Sequence, residues 1–281
     1  MDIVIRPMRR AQVDSAIELA AREGWNPGLH DATCFHAADP MGFLVAEHRD
    51  EMLGCIAAVS YGGRFGFIGL YIVVPAWRGR GVGRMLWDAG MARLAGQVVG
   101  LDGVPAQQDY YARNGFRMAW QNARFAGCAR PLDAPEPDEI VSLADVAFDL
   151  IRKSDSHVFP APREAFLRCW TAMPDATGLA WVEHGQLIGW GLVRRCREGH
   201  KIGPLVADRP EVADALFRAL CARLPAGDAV FLDVPLSHAA ALALAQKHRL
   251  QRVFETARMY AGPQPRIDLD RVYGITSFEL G

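Results

Sequence analysis

Apolar residues recur along this chain with two periods, and the switching between them predicts its elements. Ile3–Arg6 has the character of a strand. Arg10–Glu23 has that of a helix, with Val13, Ile17 and Ala20 on one face and Gly24 placed to stop it. The loop GWNPGLHD (24–31) leads to a short helix around Asp31–Ala37. Runs at Gly42–Glu47, Met52–Ser60 and Phe65–Val74 have strand composition. A helix after Gly81, a strand Val98–Asp102, a helix Ala106–Asn114 and a strand near Phe116–Phe125 complete the series.

The second half repeats this order. LVAEHRDEMLGCIAAV from Leu44 answers LAWVEHGQLIGWGLV from Leu179, each a strand, a polar turn and a second strand. LDGVPAQQDYYARNGF from Leu101 answers LDVPLSHAAALALAQKHRL from Leu232, and ARFAG (123–127) answers ARMYAG (257–262). Two copies of one α/β unit follow, each a mixed sheet with helices on both faces. Between them Arg130–Ile140 carries three prolines and four acids and almost nothing apolar, the composition of a linker. The expected division is 1–130, a Pro-rich linker 131–138, and 139–281, with RVYGITSFELG as a closing strand or tail.

Bulk properties narrow the function. The chain is 51% hydrophobic and 22% charged, with a formal net charge of -1, which disfavours a general nucleic-acid binder. Six scattered cysteines have neither CxxC spacing nor a histidine at zinc-ligand distance. They are expected to be reduced and mostly buried in a cytoplasmic protein without a bound metal. The start lacks an apolar signal core and no run reaches membrane-spanning length, so no membrane partner is expected.

The chemistry concentrates in VVPAWRGRGVGRMLW (73–87). A buried-type strand ends at Pro75, which has no N–H for a ladder, and an amphipathic helix bearing Val82, Leu86 and Trp87 follows. Between them Gly79, Gly81 and Gly83 let backbone approach a ligand. The free N–H groups of the helix start, with Arg78, Arg80 and Arg84, suit a pyrophosphate. A P-loop would need a lysine and a hydroxyl that are not here, and a dinucleotide fingerprint would need a glycine where Arg84 stands.

The remaining pattern, [RQ]xxGx[GA], is met by Arg78, Gly81 and Gly83, and YYARNGF places Tyr111 five residues before Phe116. Together, over roughly residues 40–125, these resemble the GCN5-related N-acetyltransferase (GNAT) superfamily. GWNPG, KIGPLVAD, RMYAG and SFELG look like a bacterial two-domain subgroup of it. The resemblance implies acetyl-CoA as acyl-donor cosubstrate. Backbone of Ile72, Val73 and Val74 would run beside the pantetheine, and Gly79, Arg80, Gly81, Val82, Gly83 and Arg84 would hold the pyrophosphate. Tyr111 would protonate the leaving thiolate while an acceptor amine attacks the thioester directly. Two departures stand out: strand Phe65–Val74 carries no carboxylate where some relatives have a glutamate, and Pro105 replaces a frequent asparagine. Asp102 is the leading candidate for the base that deprotonates the amine, ahead of Glu47, His30 and His36. The loop before the second helix is expected to receive a small-molecule amine through Trp25, Asn26 and Asp31.

In the second copy DRPEVADAL stands where WRGRGVGRML stands in the first. Pro210, Glu211 and Asp214 would block and repel a pyrophosphate, and the tyrosine position becomes Ala245. This copy is expected to bind no coenzyme. It could complete the acceptor pocket through Glu198, Asp233, Arg258 or Tyr260, stabilise the first copy, or make a homodimer. An N-acetyltransferase for a small amine leads these expectations, with a non-catalytic acyl-CoA sensor and a peptide or protein N-acetyltransferase as alternatives.

Overall fold

In a computed structural model, which describes residues 2–133 and 135–281, the first half runs β1 (Val4–Pro7), α1 (Arg10–Arg22), α2 (Asp31–Ala38), β2 (Phe43–His48), β3 (Glu51–Tyr61), β4 (Phe65–Val73), α3 (Val82–Arg93), β5 (Val98–Gly103), α4 (Gln108–Arg113) and β6 (Arg117–Cys128). The second runs β7 (Ile140–Ser142), α5 (Phe148–Val158), α6 (Glu164–Thr171), β8 (Ala176–Glu183), β9 (Gln186–Arg195), β10 (His200–Ala207), α7 (Pro210–Ala222), β11 (Ala229–Pro235), α8 (Ala239–Lys247), β12 (Gln251–Ala261) and β13 (Val272–Gly274). Met1 and Ala134, at the edge of the first expected unit and inside the expected linker, lie outside the described residues.

The described strands form one sheet, in the order β1-β2-β3-β4-β5-β12-β6-β11-β10-β9-β8-β7. Helices cover both faces, as the pattern predicts. One face carries a core continuous across both halves, where Phe35 of α2 lies parallel to Trp170 of α6 at 6.2 Å. The opposite face carries two cores, one beneath α3 and α4 around Leu86 and Trp87, the other beneath α7 and α8 around Leu216 and Leu244.

The strand order interleaves the two units. β12 of the second half pairs with β5 and β6 of the first, and β6 pairs in turn with β11 of the second. Each half thus lends its last long strand to the other, and the sheet has no seam at 131–138. That segment crosses the outside, where Asp133 and Glu136 pair with Arg218 of α7 and Arg223 just beyond it. The exchange places the repeated arginines opposite the repeated aspartates of the other half. Arg258 faces Asp102 in register and donates to it at 2.8 and 2.7 Å, while Arg124 faces Asp233 and donates at 2.7 and 2.8 Å. All four side chains are buried, so the ion pairs tie the halves together in mirror fashion.

In both halves the fourth strand breaks its register at the same place. Between Gly69 and Ile72 the chain bulges, with Leu70 at a left-handed φ of 45°. The bulge flips the side-chain alternation: Phe65 and Phe67 face one core and Ile68 the other, then Leu70 and Ile72 return to the first. β4 pairs with β5 only from Phe65↔Val98 to Ile68↔Leu101, and beyond that the strands separate. The second half does likewise: β10 pairs with β11 over His200–Ile202, and a bulge at Gly203–Pro204 follows.

Candidate active site

The two wedges opened by these bulges have opposite fates. In the second half β13 fills the wedge, pairing with β10 at Leu205↔Gly274 and Val206↔Val272, while Ile275 N–H donates to the Asp233 carbonyl at 2.8 Å. The fit is close enough that a Cβ on Gly274 would meet Leu232 Cδ1 at 2.7 Å. In the first half the wedge is a cavity of about 500 Å³, bounded by Ile68–Val73 on one side and by Leu101, Asp102, Val104 and Tyr111 on the other.

At its mouth α3 begins without a cap. Gly79 and Gly81 take φ of 72° and 86°, a left-handed turn that glycine adopts without strain. No described group accepts from the N–H of Val82, Gly83 or Arg84, and no acid sits in the first turn. Those donors and the helix dipole therefore face outward together. Val82 contributes backbone only, because its side chain is buried under the sheet. Around them Arg78 donates to the Val73 carbonyl at 2.8 Å and pairs with Glu23, Arg80 lies over the Trp77 ring, and Arg84 pairs with Asp88 at the surface. The start of α7 is the opposite: Pro210 supplies no donor, and Arg209 is taken by Glu183 and Glu211.

Tyr111 lines the cavity on a ring stacked against Trp87 at 5.5 Å, with Gly103 bare beneath it; a Cβ there would meet Tyr111 Cδ2 at 2.8 Å. Its hydroxyl makes no hydrogen bond within the described residues. Burial, then the neighbouring Tyr110, push the phenol above its ordinary pKa, so the proton is held.

Several expected site residues are occupied elsewhere. Val74 has no backbone group to offer, since its N–H donates to Leu53 and its carbonyl accepts from Trp77. Asn26 bridges the halves, accepting from Glu198 N–H and donating to the Glu198 carbonyl, both at 2.9 Å. Asp31 is wholly buried, accepting from Arg194 at 2.8 Å and from Gly28 N–H at 2.8 Å, and cannot meet an acceptor. Arg194 then holds the Asp31 carboxylate below its usual range against the cost of burial. Asp102 does line the cavity, but both its oxygens are engaged by Arg258, and Asn122 donates a third hydrogen bond at 2.8 Å. Burial outweighs Arg258 and raises the Asp102 pKa above its ordinary range, while the ion pair leaves neither oxygen without a partner. Glu47 pairs with Arg6 at 2.6 Å, His30 lies 3.0 Å from Asp175, and neither they nor His36 line the cavity.

Beyond the wedge the cavity is walled by Trp25 from the first half and by Phe254, Thr256, Phe278 and Glu279 from the second. Arg124 organises this wall: it donates to the Trp25 carbonyl at 2.7 Å, and its guanidinium lies 5.7 and 5.3 Å from the Phe254 and Phe278 ring centres. None of the four second-half residues was singled out from the sequence, whereas Asp233 and Arg258, which were, act one step back from the cavity.

An uncapped helix start, an open strand wedge and a buried tyrosine thus meet at one cavity. Comparisons with known proteins identify the family. Residues 39–118 and 151–274 each match a family model described as an acetyltransferase (GNAT) domain. The chain is 30% identical to the holothin acyltransferase of Pseudoalteromonas sp. (strain SANK 73390) over 266 residues, 94% of this chain and 90% of that one. A putative acetyltransferase from Pyrococcus horikoshii shares the fold with a TM-score of 0.84 at 23% identity, covering 99% of this chain and 96% of the other. A tandem GNAT protein from the clavulanic acid biosynthesis pathway superposes with a TM-score of 0.66 at 14% identity over 94% of this chain and all of its own. The chain belongs to the GNAT family, as a tandem pair of its domains, and is an acyltransferase.

Proposed function

We propose that the protein transfers an acetyl group from acetyl-CoA to the primary amine of a small-molecule acceptor, using the first-half wedge for the donor and the cavity beyond it for the acceptor. The observation that carries this is the asymmetry of the two wedges: one is open beside unpaired helix-start donors, the other is filled by β13. The residues present fit the donor. The N–H groups of Val82, Gly83 and Arg84 suit a pyrophosphate, and the β4 edge released from β5 after Ile68 suits an amide-bearing arm. Acetyl-CoA supplies an acyl group activated as a thioester. Tyr111, which lines the cavity and holds its proton, would donate it as the thiolate leaves. Trp25, Phe254 and Phe278 exclude water from the cavity wall and orient an apolar acceptor body. The relative whose name gives holothin as its acceptor supports a small molecule over a protein, and so does a cavity closed by both halves.

The test is acetyl-CoA titration by calorimetry together with thiol release against a panel of primary amines. One site per chain, and turnover lowered about 100-fold or more in Tyr111→Phe with the coenzyme affinity kept, are expected. Two sites per chain, or no turnover with any amine, would refute the proposal.

A further inference from the structure

One carboxylate in this cavity has no ion-pair partner of its own among the described residues. Glu279 is 5% exposed, lines the cavity, and pairs with no cation among the described residues. Its one side-chain partner is local: Ser277 Oγ donates to Glu279 Oε2 at 2.6 Å and accepts from the Glu279 and Leu280 N–H groups at 3.0 and 3.3 Å. The other buried carboxylates around it are all matched, Asp102 by Arg258, Asp233 by Arg124 and Asp31 by Arg194. A buried carboxylate left unpaired at a cavity wall is costly, and a cationic ligand would relieve the cost.

Its position is as telling as its charge. The backbone of Glu279 lies against the β4 bulge, where Gly69 has no side chain; a Cβ there would collide with the Glu279 carbonyl. The segment is held on both sides, with the Tyr61 hydroxyl donating to the Leu280 carbonyl at 3.1 Å and Arg163 donating to the Gly281 carbonyl at 2.9 Å. Residues 272–281 are buried throughout. One segment therefore plugs the second wedge with β13 and then, five residues on, lays a carboxylate beside the strand that carries none of its own.

We infer that Glu279 is the base of the reaction: its carboxylate binds the acceptor's ammonium and takes one proton from it, freeing the nitrogen lone pair. The N–H bond breaks, an O–H bond forms on Glu279, and the proton leaves through the cavity mouth to water. This role rests on the proposed amine acceptor. The charged groups that feel Glu279 are Asp102, Arg124 and Arg194, each already in an ion pair, with Arg258, Asp233 and Asp31 respectively.

The test compares the full-length protein with Glu279→Gln and Glu279→Asp, using acetyl-CoA and a panel of primary amines (benzylamine, tyramine, a diaminoalkane and an amino-acid amide). Glutamine can still accept from Ser277, so the fold and the acetyl-CoA affinity should stay within about twofold. We expect kcat/KM for the amine to fall about 100-fold or more in Glu279→Gln and to return in part with aspartate. Binding of the ammonium probe, measured by calorimetry without donor, should weaken as well. Transfer that survives Glu279→Gln within threefold, ammonium binding unchanged in that variant, or a loss matched by an equal loss of acetyl-CoA binding would overturn the role of Glu279 alone. Failure of the unsubstituted protein to acetylate any amine would overturn the amine acceptor, and this role with it.

Discussion

The crossed ion pairs yield a prediction whose size can be worked from the structure. Asp233→Asn removes the charge that matches Arg124, whose side chain is only 4% exposed. Two hydrogen bonds of 2.7 and 2.8 Å lose their ionic acceptor, and the guanidinium stays buried because its other donor is fixed to the Trp25 carbonyl. Breaking a buried pair from one side costs about 3–5 kcal/mol, a large part of the ~5–15 kcal/mol that stabilises a typical protein. The thermal midpoint should fall by roughly 5–9 °C in a chain of 281 residues. Replacing both partners, as Arg124→Met with Asp233→Leu, should recover most of that stability, since no charge is then left buried. Activity should not recover, because Arg124 also sets Trp25, Phe254 and Phe278. Calorimetric melting of the three proteins, with a denaturant series for the free energies, reads the result. A loss below about 1 kcal/mol in Asp233→Asn would show that water reaches Arg124, and the crossed-pair account would fail.

Further outcomes follow from the same structure. A fragment of residues 1–130 should lack cooperative unfolding by circular dichroism, because β5 and β6 are joined only through β12; a sharp transition would refute the strand exchange. Gly69→Ala should displace Glu279 and lower both stability and turnover, whereas Gly63→Ala, at a turn with open space around it, should cost only the strain of its φ of 70°. Asp214 is drawn down to about 2 by His248 and Lys247 against the effect of burial. Its folded pKa being below its unfolded one, its stabilisation of about 2 kcal/mol is present above pH ~4 and lost as pH falls toward 2. Asp214→Asn should flatten the acid side of the stability curve, and an unchanged curve would refute the assignment.

Much of this molecule was legible in the sequence because its signals are local. Periodicity within a dozen residues is enough to place α1 or β4, and the glycines with their flanking arginines announce an anion-binding helix start wherever the chain takes them. The repeat was legible too, down to the arginines at 124 and 258 and the aspartates at 102 and 233. What the repeat could not disclose is which arginine meets which aspartate. Pairing within a half and pairing across halves use identical side chains and identical local pattern, and the choice is made by strand order, which is non-local. The same blindness misplaced Asp31 and Asn26. An aspartate and an asparagine in a loop with proline and glycines look solvent-facing until Arg194 and Glu198, over 160 residues away, come to meet them.

Glu279 was hidden for the converse reason, and its signal was present. In VYGITSFELG it is the one ionisable acid in ten residues that are otherwise apolar or small, set between Phe278 and Leu280. A segment of that composition must be buried, and a carboxylate inside it must meet a cation, cap a turn or face a cavity. Ser277 supplies the turn and no cation pairs with Glu279 among the described residues, which leaves the cavity. On the proposed role of Glu279, the second half serves the site of the first. By filling its own wedge with β13 it fixes the path of the residues that follow, and so delivers Phe278 and Glu279 to the wedge that stays open. On this view the duplication is held by chemistry as well as by stability: the first domain orients the donor, and the closing segment of the second brings the group that the first domain's own strand lacks.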